Sequence, residues 1–198
     1  ISVSHPDKVY RDRTVDFFNQ HIEAAVQLDC DHMVVSTGFA YLDVDAEDAF
    51  GWCAEAMGRI ARKAEQEGVT LAVEPFTKYT THICNEASQL RRLLRTVNSP
   101  RLTGLADTDV IATTAVDTFS TFLDVIGPEN LGHVHFVDGN PGGHLVPGDG
   151  VLNLDGALEK LKAIHYTGAL GLEVLDRRYV FAPEAAMKQA MDWYKERI

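Results

Sequence analysis

The sequence predicts an α/β fold in which helices cover a parallel sheet, and three observations carry that expectation. From residue 12 onward, apolar residues recur at helical spacing in one segment and bunch into a short β-rich run in the next, through about five strand and helix pairs. The strand runs are continuously apolar rather than alternating, which marks strands buried on both faces, as parallel strands under helices are. The connections are short, with no Pro/Ser linker and no low-complexity segment, so a single domain over residues 1–198 is expected. An open doubly wound sheet and a (β/α)8 barrel both satisfy this pattern. A complete barrel takes about 250 residues, and this chain is shorter than that by roughly three β/α units.

Taken in order, the first helix is expected from Asp12 to about Asp29, with Val15, Phe18, Ile22 and Val26 on one face, followed by a strand over Met33 to Ser36. Asp45 reads as the N-cap of a helix through Lys63 and Ala64, stopped at Gly68 where a left-handed residue is favoured. The strand from Val69 to Val73 ends at Glu74, and Asn85 is the candidate cap of a helix from Glu86 to Val97 that Pro100 closes. The run Leu102 to Ala106 ends at Asp107, Thr113 to Ile126 reads as one helix, and Leu131 to Phe136 as a strand carrying His133 and His135. A glycine-rich loop from Gly139 to Gly150 leads to a helix over Leu154 to Ile164. The strand from Ala169 to Leu172 ends at Glu173, and Pro183, at a first helical position, opens the last helix through Trp193.

Composition narrows the function. Lys+Arg number 18 against Asp+Glu 29, a formal net charge of −11, and 45% of residues are hydrophobic. That describes a soluble globular domain, and the carboxylate excess argues against a nucleic-acid footprint, which needs a basic face. Small neutral or cationic partners, or a metal ion, fit it better. The sequence has no apolar run of about 18 residues and no secretory signal pattern, so neither a membrane span nor export is expected. Cys30, Cys53 and Cys84 are odd in number and lack a CxxC spacing, so they read as reduced, cytosolic and mostly packing residues. The chain starts at Ile1 with no leading strand, which suggests part of a longer polypeptide.

The polar residues that carry chemistry fall at strand ends: Glu74 in LAVEP, Asp107 in GLADTD, His135 in HVHFVD and Glu173 in LGLEVL. In a parallel barrel the carboxyl ends of the strands converge on one rim, so these four side chains can meet around one point. Three carboxylates and an imidazole suit Mn²⁺, Mg²⁺ or Co²⁺ better than a thiolate-preferring ion. Any one carboxylate after an apolar strand reads equally well as a loop residue or helix cap. The weight lies in four together, and in Glu74 and Glu173, because strands disfavour glutamate unless something such as a cation compensates it.

The remaining polar candidates carry less. His133 shares its side of the strand with His135 and reads as support or packing. His144, in GGHLVPGDG, sits among glycines that let backbone approach a ligand and can reach a substrate oxygen; a solvated loop histidine is the plain alternative. Asp138 either orients a ligand or caps. Lys78, Tyr79 and Arg177 are candidate substrate contacts on rim loops, against the ordinary reading of solvated surface side chains. Cys84 reads as packing rather than nucleophile. The sequence contains no GxGxxG, Walker loop, GxSxG or HExxH, which sets aside the usual nucleotide, serine-hydrolase and zincin readings.

The segments EPFTKY followed by CN, then NSPRL, GLADTD, LGHVHFVDG, HLVPGDG and YTGALGLEV resemble, in order and spacing, the sugar isomerases and epimerases of the xylose isomerase-like TIM-barrel superfamily. Within it the likeness is to the ketose 3-epimerases, fructoselysine 3-epimerase in particular, with D-tagatose and D-psicose 3-epimerases further away. It covers essentially the whole chain. The resemblance implies a (β/α)8 TIM barrel that is incomplete in this sequence, with strands four to eight present and an apolar edge on the side of residues 33–36 covered by something outside it.

Carried over residue by residue, the resemblance makes Glu74, Asp107, His135 and Glu173 the metal ligands, and Glu74 and Glu173 also the acid/base pair on opposite faces of the substrate carbon. His144 matches a loop histidine of the fructoselysine type. The implied cofactor is a divalent ion, Mn²⁺ or alternatively Mg²⁺, Co²⁺ or Zn²⁺; the implied partners are a small sugar and further copies of the chain, in the cytoplasm. Two positions depart from the tagatose-type pattern, Val110 in place of a histidine and Thr80 in place of a glutamate, so the identity of the sugar is not carried over. The implied reaction removes the C3 proton of a ketose to give an enediolate and returns a proton on the other face. A polyol or inosose dehydratase, another sugar isomerase or a non-catalytic sugar-binding relative keeps the same ligand set. The superfamily's abasic-site endonucleases need further histidines and a basic groove, which Val110 and the charge of −11 oppose.

Overall fold

A computed structural model describes residues 1–39, 41 and 43–197. Helices and strands alternate as α1 (Lys8–Gln27), β1 (His32–Ser36), α2 (Ala46–Glu67), β2 (Thr70–Glu74), α3 (Ala87–Val97), β3 (Leu102–Asp107), α4 (Thr108–Thr114), α5 (Phe119–Ile126), β4 (Leu131–His135), α6 (Leu154–Ala163), β5 (Leu170–Gly171) and α7 (Pro183–Lys195). Most boundaries follow capping chemistry visible in the sequence. Asp45 accepts hydrogen bonds from the Glu47 and Asp48 amides, and Gly68 ends α2 at φ 76°.

The departures from expectation have local causes. Helix α1 begins a turn early because Asp7, not a residue near Asp12, accepts from the Val9 amide. Val26 is 41% exposed, and Ala25 faces the core in its place. Asn85 does not cap α3: its Nδ2 donates to the Thr81 carbonyl at 2.7 Å, and the Gln89 side chain accepts from the Asn85 and Glu86 amides. The helix expected over Thr113 to Ile126 is two helices. Ala115 turns left-handed at φ 57° to end α4, and Thr118 restarts the chain by exchanging hydrogen bonds with Thr121. The last strand is only two residues long.

The five strands are parallel and lie in the order β1-β2-β3-β4-β5. A doubly wound sheet reverses its strand order part-way, whereas a monotonic order with right-handed crossovers keeps every helix on one face. The sheet is therefore an arc of a (β/α)8 barrel, and the open alternative is excluded. Val35, Leu71, Val73 and Val134 face outward into one core with Met57 and Ile60 of α2, Leu90 of α3 and Phe122 of α5. Burying each of these larger side chains contributes about 1.5–3 kcal/mol. Val34, on the opposite face of the β1 edge, is 42% exposed. No helix among the described residues is long and apolar enough to cross a membrane.

One irregularity positions the site. Pairing between β3 and β4 steps from Gly104 opposite Leu131 to Leu105 opposite His133, leaving Gly132 as an extra residue. A β-carbon on Gly132 would run into the Thr103 hydroxyl, so a glycine is what this bulge accommodates. Because side chains alternate, a one-residue slip moves every later side chain to the other face. The bulge thus turns His133 and His135 to the barrel-interior side, alongside Leu105 and Asp107.

Candidate metal centre

The sheet register brings four strand-end residues together on the interior side. Glu74 ends β2, Asp107 ends β3, His135 ends β4 and Glu173 follows β5 by two residues. One ligand atom from each lies within 4.8 Å of the others. His135 Nδ1 stands 3.0 Å from Glu74 Oε1, 3.3 Å from Glu173 Oε2 and 3.5 Å from Asp107 Oδ2. Glu74, Asp107 and His135 are buried, while the Glu173 side chain is 39% exposed.

Hydrogen bonding alone does not satisfy this cluster. One ring nitrogen carries at most one proton, and here it faces three carboxylates. Among the described residues no hydrogen bond of good geometry reaches the buried Asp107 Oδ2, with His144 Nε2 and His135 Nδ1 standing 3.3 and 3.5 Å away, whereas Oδ1 of the same carboxylate accepts from the Asp109 and Val110 amides at 2.8 Å and so caps α4. Ligand atoms about 2.1 Å from a common ion lie roughly 3.0 Å apart at octahedral angles and 3.4 Å apart at tetrahedral ones. The three separations from His135 are close to those edges and all four ligand atoms lie within 4.8 Å of one another, a spacing that could hold a divalent cation once the side chains close on it. A set of three oxygens and one nitrogen suits a hard or borderline ion.

Without an ion, the imidazoles of His135 and His144 offset part of the carboxylate charge. Burial works against a charged His135, but Asp107, Glu173 and Glu74 outweigh it and push the imidazole up to about 11. His144 rises in the same way to about 12, burial being overcome by Asp107, Asp109 and Glu173. The two imidazoles hold Glu173 down at about 2. Glu74 moves the other way: burial raises it despite the adjacent His135. Burial also pushes on Asp107, but the two imidazoles bring it below the usual carboxylate range. In the metal-free chain the two glutamates therefore shift in opposite directions.

His144 reaches the cluster from the Gly139–Gly150 loop, with Nε2 3.3 Å from Asp107 Oδ2 and 3.5 Å from Glu173 Oε2. Its Nδ1 is 3.1 Å from Asp109 Oδ2. Asp109 was not singled out from the sequence; its place in DTD, two residues after a strand-end ligand and on the first turn of a helix, was the available signal. Asp138 is buried and spends both oxygens on backbone amides: Oδ1 accepts from Gly139 and Leu152, Oδ2 from Gly148. His133 packs edge-on against His135 with ring centroids 5.3 Å apart, and burial lowers its pKa. Lys78, Tyr79 and Arg177 are exposed, Tyr79 by 84%, on the segments that follow β2 and β5; the structure does not bring them onto the cluster. Cys84 is fully buried.

A family model described as "Xylose isomerase-like TIM barrel" matches residues 1–197. Fructoselysine 3-epimerase of Shigella flexneri is 26% identical over 191 residues, which are 96% of this chain and 68% of that protein. Among solved structures, 3-keto-D-glucoside 4-epimerase from E. coli aligns with a TM-score of 0.87 at 18% identity, covering 98% of this chain and 75% of the other. The IolI protein, crystallised with a bound zinc atom, aligns with a TM-score of 0.78 at 18% identity, covering 95% and 70%. At such identities these two structures speak for the fold.

Proposed function

The chain belongs to the xylose isomerase-like TIM barrel family, and from that premise we propose that it is a divalent-metal-dependent sugar epimerase acting at carbon 3 of a ketose or ketosamine. The observation that carries this reading is the pair of glutamates, Glu74 and Glu173, brought from the ends of β2 and β5 to one cluster with Asp107 and His135 whose ligand atoms lie within 4.8 Å of one another. The relatedness to fructoselysine 3-epimerase supports the substrate class.

Glu74, Asp107, His135 and Glu173 would hold the ion, Mn²⁺ by preference and Mg²⁺, Co²⁺ or Zn²⁺ as alternatives. When bound, the ion supplies polarisation of the C2 carbonyl and stabilisation of negative charge on the enediolate oxygens. Glu74 and Glu173 are the acid/base pair: one takes the C3 proton from one face, and the other, protonated, returns one to the opposite face. His144 presents Nε2 to a substrate oxygen beside the edge formed by Asp107 and Glu173. Lys78, Tyr79 and Arg177 meet the outer end of the sugar, and Asp138 holds the loop that carries His144. A cytoplasmic, homo-oligomeric, single-domain protein completes the proposal.

The test incubates the protein with Mn²⁺ in D₂O with fructoselysine or D-psicose and follows C3 by proton NMR. Deuterium at C3 together with the C3 epimer is the expected result, abolished by EDTA. Net loss of water would move the assignment to a dehydratase, and no exchange on either sugar would leave a binding role.

A further inference from the structure

We infer that Asp109 is a positioning residue for His144, setting the direction in which the imidazole meets a substrate oxygen. The inference takes from the epimerase reading only the role of His144; its geometry stands apart from that reading. Asp109 is fully buried, with 0% side-chain exposure. Its Oδ2 accepts from the His144 amide at 3.0 Å and lies 3.1 Å from the same residue's Nδ1, while Oδ1 accepts from the Gly142 amide at 2.5 Å. One carboxylate thus hydrogen-bonds the backbone of a residue and stands within ion-pair reach of the same residue's ring. Such a hold fixes the side-chain rotamer together with the loop and determines which ring nitrogen is left to face outward.

Three further observations show that the loop is built around this grip. His144 is left-handed at φ 48°, a conformation that a non-glycine residue keeps where its surroundings enforce it. The Leu175 amide donates to the His144 carbonyl at 3.1 Å, pinning it from the β5 side. A β-carbon on Gly139 would run into the Asp109 carboxylate, so the missing side chain there is what lets Asp109 lie beneath the loop. The free end of the ring, Nε2, then faces Asp107 Oδ2 and Glu173 Oε2. Asp109 is outside the four-residue cluster, so its influence on the reaction runs through His144.

The test is a double-mutant cycle on the Mn²⁺-loaded protein with fructoselysine or D-psicose as substrate. Asp109→Asn and His144→Ala should each lower kcat for C3 exchange by about 10- to 100-fold, as changes to orienting partners of site residues do. The double variant should lose no more than the larger single loss, and Mn²⁺ affinity should stay at the wild-type value in Asp109→Asn. Additive losses, or a fall in Mn²⁺ affinity as large as that of Asp107→Asn, would overturn the inference.

A second measurement is independent of turnover. In the Mg²⁺-loaded wild type, the His144 Nδ1–H should give a downfield proton resonance protected from solvent. It should vanish in Asp109→Asn and in Gly139→Ala, which displaces the carboxylate without altering the imidazole. Its absence from the wild type, or its persistence in Asp109→Asn, overturns the inference even should Gly139→Ala fail to fold. A wild type with the resonance but no sugar exchange removes the epimerase reading and upholds the role of Asp109.

Discussion

Metal loading at the cluster should be a competition with protons, and its size follows from His135. In the metal-free chain the ring is held up to about 11 because Asp107, Glu173 and Glu74 outweigh the cost of burying its charge. An ion binding at Nδ1 needs the lone pair that this proton occupies, so the proton must leave. Between pH 6 and 8 the ring remains protonated, and each unit of pH lowers the cost of removal by about 1.4 kcal/mol. Affinity should therefore rise about tenfold per pH unit, roughly 100-fold across the range. At pH 8, three units below 11, about 4 kcal/mol of the intrinsic affinity is still spent on the proton. Displacement of the His144 proton as well, from a ring pushed up to about 12, would steepen the slope toward two. Calorimetric titration with Mn²⁺ at pH 6, 7 and 8, in buffers of different ionisation enthalpy, reads affinity and proton release together. An affinity independent of pH, with no proton released, would refute this account of His135.

Four further outcomes are expected. Glu74→Gln and Glu173→Gln should each abolish C3 exchange while circular dichroism shows the fold intact; substantial residual activity in either removes the acid/base assignment. Gly132→Ala, whose new methyl meets Thr103, should lower stability by about 1–3 kcal/mol in urea unfolding and weaken Mn²⁺ binding by disturbing the phase of His135. In EDTA-treated protein, His135 is raised from 6.5 to about 11, so its stabilising contribution is complete below pH 6.5 and lost as pH rises through 11. The urea midpoint should accordingly decline from pH 7 to 10, and a rising midpoint would contradict the electrostatics. At the acid end, Glu173 is lowered from 4.5 to about 2, so its contribution is present above pH 4.5 and lost as pH falls toward 2; Glu173→Gln should flatten that limb of the midpoint profile.

Most strands were legible because their runs are predominantly apolar, the one over Leu131 to His135 despite its two histidines, and the four cluster residues because they stand at or near the ends of those runs. The sequence also held the caps at Asp45 and Gly68, whose signals are local. It did not hold the break between α4 and α5, since alanine at φ 57° is an unfavourable choice that only the surrounding packing imposes. Asp109 was missed for a similar reason: nothing nearby in the chain explains a buried carboxylate whose donors, Gly142 and His144, lie more than 30 residues away. Asp138 stood between a ligand role and a capping role, and its oxygens lie on loop amides that a linear reading cannot place. The choice between open sheet and barrel needed strand order, which periodicity does not contain.

Asp107 divides its carboxylate, one oxygen starting α4 and the other facing the cluster. Sequence drift at this position is therefore tested twice. Serine or threonine would keep the helix start and forfeit the ligand; glutamate would keep the charge but set it one methylene away from the amides it must cap. Alanine fails both tests, so its measured cost would mix about 1 kcal/mol of lost cap with the loss of the ion. The first turn of α4 and the chemistry beside it are inherited as one trait, and asparagine, which caps as well as aspartate but carries no charge, separates them with the least change of shape.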